Sequence, residues 1–77
     1  MHPPGAHLLI ELRVARAAPD VLAALEAGGA HVESVELGEV DGRRLLVVDV
    51  RFPPGERVGG VARLSGLEEV LSARWSA

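Results

Sequence analysis

Three histidines, eight arginines and eleven carboxylates are the side chains of this 77-residue chain that could carry charge or move a proton. His2, His7 and His31 fall at no spacing that links them as ligands of one metal ion. There is no cysteine, which removes disulfides and thiolate metal sites. No nucleophile has a base available in the sequence, so no catalytic residue, metal ligand or cofactor is assigned. What remains is binding chemistry. The run Arg16-Ala17-Ala18-Pro19-Asp20 precedes a helical segment, and free N–H groups at such a terminus can hold a carboxylate, with Arg16 assisting. Asp20 brings its own negative charge there and reads as a capping acid that competes with an anionic ligand. His31, beyond Gly28-Gly29, reads as a turn histidine. From Glu33 to Asp41 every second or third residue is acidic (Glu33, Glu36, Glu39 and Asp41), which reads as a solvated strand edge that discourages sheet-to-sheet aggregation.

Composition narrows the class of partner. The net charge is −3, with acids and arginines interspersed, which argues against nucleic acid. No apolar run approaches a membrane span and Met1–Gly5 lacks a signal-peptide pattern, so a cytoplasmic chain that does not insert into membranes is expected. Every basic side chain is Arg, and Lys, Asn, Gln, Thr and Tyr are absent, as in proteins of GC-rich genomes or, for Asn and Gln, of thermophiles. Phe52 and Trp75 are the only aromatic residues, so Val, Leu and Ala must build the core. A single domain of this size is stable by about 4–12 kcal/mol.

The elements that must position these residues follow from periodicity. Met1 to Ala6 is expected to be a disordered tail, since Pro3, Pro4 and Gly5 favour neither helix nor strand, and residues 7–77 form the domain. Leu8, Ile10, Leu12 and Val14 alternate with Leu9, Glu11 and Arg13 as in a half-buried strand. Pro19 suits the first position of a helix that carries Val21, Leu22 and Leu25 on one side and stops at Gly28-Gly29. A second strand spans Ala30 to Gly38, and the step from Val32 to Val35 slips its phase, which predicts a bulge near Glu33-Ser34. Asp41-Gly42 predicts a tight hairpin turn. The third strand runs from Arg43 to Phe52. A second helix over Glu56 to Leu64 carries Gly59-Gly60 in its middle, which either permits close packing or breaks it. Val70 to Trp75 is the last strand.

Two strand–helix–strand units joined by a hairpin predict an α+β fold of ferredoxin-like βαββαβ type, a four-stranded antiparallel sheet with two short helices on one face. The first strand then lies beside the third and fourth. Glu11, Arg13, Asp49 and Arg51 would share the outer face and pair across strands. Leu9, Leu45 and Val47 lie on the same face, and apolar groups exposed there point to an interface, most simply that of a symmetric homodimer. Acylphosphatases, copper carriers and RNA-recognition domains share this architecture. They require, respectively, an Asn, a pair of Cys and aromatic residues on the outer face of the sheet, none of which is available here.

The stretches Leu22-Ala23-Ala24-Leu25-Glu26-Ala27-Gly28-Gly29-Ala30-His31-Val32 and Ala62-Arg63-Leu64-Ser65-Gly66-Leu67-Glu68-Glu69-Val70-Leu71, in their order around the hairpin, resemble the ACT-domain family. The ending RLSGLEEVLSARW also resembles the cytosolic C-terminal ACT-like domain of the MgtC/SapB membrane-protein family. Pro19-Asp20 stands where the ACT pattern has Pro-Gly. The resemblance implies a non-catalytic regulatory or sensor module, dimeric, with a small metabolite such as an amino acid near Arg16, Ala17, Ala18, Pro19, Asp20 and His31. The other reading is a structural oligomerisation or interaction domain that works through Leu9, Leu45 and Val47, related to regulatory domains of membrane transport.

Overall fold

The computed structural model describes residues 7–55 and 57–76, with residues 57 and 58 described in their backbone only. The expected tail at residues 1–6 lies outside them. Along the chain come β1 (His7–Leu12), a 3-10 turn (Ala15–Ala17), α1 (Ala18–Ala27), β2 (His31–Val40), β3 (Arg43–Arg51), α2 (Arg57–Ser65) and β4 (Val70–Trp75). The four strands form one antiparallel sheet in the order β2-β3-β1-β4, so β1 is interior, between β3 and β4.

Period-two alternation puts Leu8, Ile10 and Leu12 of β1 on the same face as Leu46, Val48 and Val50 of β3. Val21 and Leu25 of α1 and Leu64 of α2 complete one core with them, so both helices cover this face. Each large side chain buried there contributes roughly 1.5–3 kcal/mol relative to exposure. The other face of the sheet has no helix over it among the described residues.

The 3-10 turn runs straight into α1, whose N-cap is Ala17, and Pro19 sits in the first turn where its missing N–H costs nothing. The expected cap at Asp20 is absent. Among the described residues no side chain caps this helix, and Asp20 lies inside the first turn, where the helix dipole favours an acid. At the other end Gly29 takes φ 92°, the Gly29 N–H donates to Glu26 O at 3.0 Å and the Ala30 N–H to Leu25 O at 3.1 Å. These paired bonds satisfy the last carbonyls of α1.

The phase slip in β2 is a bulge. Register shifts between Val32 and Ser34, which leaves the Glu33 backbone out of the pairing. β2 itself continues to Val40, two residues beyond the expected Gly38, because the hairpin at Asp41 (φ 51°) and Gly42 (φ 76°) is tight enough to pair Val40 with Arg43. The Gly59-Gly60 pair does not break α2.

Candidate functional site

The residues expected around a ligand do not converge. Ala17 and Ala18 are buried in the domain, while Arg16, Pro19 and Asp20 are exposed at the start of α1. His31 is exposed at the start of β2, opposite Arg51. α1 lies between them, and its ten residues span about 15 Å. Within one chain, His31 and the Arg16–Asp20 run therefore sit at opposite ends of a helix.

A concave site lies instead between α1 and α2, at the C-terminal end of α1. It is a cleft of about 110 Å³. Ala24, Leu25 and Gly28 form one wall, Gly60, Arg63 and Leu64 the other, with Phe52 and Leu67 completing it. The volume suits a body of about four non-hydrogen atoms, given that a 150 Å³ apolar cavity holds benzene. Two glycines shape it. A Cβ on residue 60 would meet Phe52 Cζ at 2.7 Å, and one on residue 28 would lie 3.0 Å from the Arg63 guanidinium. Phe52 is in turn set by Trp75, the two rings meeting edge to face at 6.0 Å and 76°. The lining is mostly apolar, with Arg63 as the one charged residue among the described residues that form it. The Gly28 and Gly60 positions were visible in the sequence as helix punctuation. The role of Phe52 was not, because it depends on where the end of β3 meets α2.

The uncovered face of the sheet holds the other candidate surface. Leu9 pairs with Val47 and Glu11 with Leu45, which places Leu9, Leu45 and Val47 together as expected. All three are half-buried by their neighbours. Of the exposed apolar side chains, Val40 at 54% lies at the edge of this face and Leu71 at 47% in β4, whereas Leu37 at 46% and Val35 at 44% lie on the helix-covered side, opposite Leu46 and Val48.

The charges on this face pair differently from the expected scheme. Arg43 donates from Nε to Glu11 Oε2 at 3.0 Å and from Nη2 to Glu11 Oε1 at 2.7 Å. Arg51 donates to Glu33 Oε2 at 3.0 Å, so the bulged residue of β2 takes the partner assigned to β1. Arg13 leaves the sheet, because β1 ends at Leu12, and its Nε donates to the Glu68 carbonyl at 3.2 Å. Glu11 stands opposite Leu45 and Ser72, neither of them charged, so its ion pair is made with the diagonal neighbour. The two hydrogen bonds from Arg43 hold the Glu11 carboxyl below its ordinary value of 4.5, and Glu11 raises Arg43 in return.

Among the described residues, no group of three or more His, Asp or Glu is arranged to hold a metal ion. Among the same residues, no helix is long and apolar enough to cross a membrane. Comparison with protein-family models and with curated proteins returns no match.

Proposed function

We propose that this chain is a non-catalytic, ACT-like regulatory or sensor module on a ferredoxin-like frame, dimeric, with a small metabolite such as an amino acid as its effector. The observation that carries this reading is the apolar cleft between α1 and α2, with one guanidinium at its wall. An apolar recess with a single charged group is suited to orienting a small amphipathic molecule. The element order and the strand order β2-β3-β1-β4 support the frame. The effector then sits at the end of α1 from which His31 follows, and the exposed residues Arg16, Pro19 and Asp20 are left to contacts outside the chain.

Thermal unfolding in the presence of a panel of amino acids and nucleotides tests it. One member is expected to raise the midpoint, since a ligand that binds only the folded state stabilises it by mass action. A midpoint unmoved by the whole panel would contradict the reading.

The uncovered sheet face favours a second reading, a structural interaction domain that works through Leu9, Leu45 and Val47. Its test is the mass of the assembly after Leu45→Asp.

A further inference from the structure

The outer face of the sheet carries one row that crosses all four strands. Glu36 of β2 pairs with Val47 of β3, Val47 with Leu9 of β1, and Leu9 with Arg74 of β4. Read across the sheet, the row is acid, apolar, apolar, base. Glu36 and Arg74 are exposed.

We propose that a second copy of this chain stacks on this face, related by a two-fold axis that runs parallel to the strands. Such an axis lays β2 of one copy over β4 of the other and β3 over β1. Glu36 then faces Arg74 of the second copy, and Val47 faces its Leu9, with each contact made twice. A two-fold across the strands would instead set Glu36 over Glu36 and Arg74 over Arg74, so the charges choose between the two packings.

The neighbouring rows agree with the first choice. His7 and Asp49 are paired on adjacent strands, and the same axis brings Asp49 over His7 of the second copy. In the row of Gly38, Leu45, Glu11 and Ser72, the two end positions are small, and Glu11 meets Leu45 with its carboxylate already held by Arg43. Packed sheets cross at about 30°, which displaces the edge strands by about 4 Å, within the reach of Glu and Arg side chains.

This proposal names the partner and the geometry for the dimer in the function proposed above, and it rests on that association. Four strands about 4.8 Å apart and about six residues long give a planar footprint of roughly 400 Å² per copy. The total of about 800 Å² falls below the roughly 1,200 Å² of a stable standard interface, so the dimer is a weak one.

Sedimentation velocity of the full chain at low salt, from about 10 µM to about 1 mM, tests the geometry. Wild type is expected to pass from monomer to dimer across that range. Glu36→Arg alone and Arg74→Glu alone should each weaken dimerisation by roughly tenfold or more, and the double reversal should restore it to within about threefold. Circular dichroism checks that the variants are folded. A wild type that stays monomeric throughout overturns the proposal, as does a dimer indifferent to either reversal or one that the double reversal fails to restore. A metabolite-induced thermal shift in a monomeric wild type would overturn this interface while leaving the sensor reading in place.

Discussion

The ring of Phe52 occupies the space that a side chain on residue 60 would need, so α2 passes over the end of β3 at a distance only glycine permits. Gly59, its neighbour in the same helix, has nothing within 4 Å of the corresponding position. The two glycines are chemically identical and energetically opposite. Gly60→Ala is expected to destabilise the domain by about 1–3 kcal/mol through displacement of the ring. Gly59→Ala should stabilise it by about 0.5–1 kcal/mol through helix propensity. Urea unfolding of the two variants measures the contrast, and equal effects would contradict this packing.

The Glu11–Arg43 pair makes stability depend on pH with a definite sign. The folded-state value of Glu11 is depressed, chiefly by the hydrogen bonds from Arg43. Its stabilisation is therefore complete above the ordinary value of 4.5 and is lost as pH falls from there through the lower folded value. Glu11→Gln should show a shallower loss of stability on acidification than wild type, with the two curves converging at the acid end. Urea midpoints between about pH 7 and about pH 2.5 provide the test. Parallel curves would mean that the pair contributes nothing to folding.

Arg44 lies on the helix-covered side of the sheet, opposite Leu12 and Glu39, and its Nε is buried without a hydrogen-bond partner among the described residues. A buried donor left unsatisfied costs about 1–3 kcal/mol. Arg44→Met keeps the aliphatic stem and removes that donor, and it is expected to raise stability by about 1 kcal/mol. A loss of stability would show that the guanidinium is satisfied in solution.

Asp41 adopts φ 51° at the hairpin. Asp41→Asn and Asp41→Gly should fold with little change, whereas Asp41→Val should lose roughly 1–2 kcal/mol, because a β-branched side chain is strained in the left-handed region. Thermal midpoints of the three variants distinguish turn strain from a general sensitivity of the loop.

The legible parts of this molecule are those governed by neighbours in sequence. Alternation at Leu8 to Leu12 located β1, the slip between Val32 and Val35 located the bulge, and Asp41-Gly42 located the hairpin. Each signal is local. What escaped depends on the meeting of distant segments. The Glu11–Arg43 pair needs the β1–β3 register and a diagonal reach that no spacing announces. The cleft needs Gly28, Phe52 and Gly60 brought to one end of α1 by three different elements. The expected ligand residues failed to meet for a simple reason, since His31 and Arg16 flank the helix that separates them.

The central claim is that a small effector sits between α1 and α2. The most direct measurement is a titration of the isotope-labelled chain with the amino-acid and nucleotide panel, followed by backbone amide chemical shifts. One member is expected to perturb the amides of Gly28, Gly60 and Leu67 together and to leave those of Glu36 and Leu45 unchanged. A panel that moves no amide, or moves only those at Arg16 to Asp20, would contradict the account.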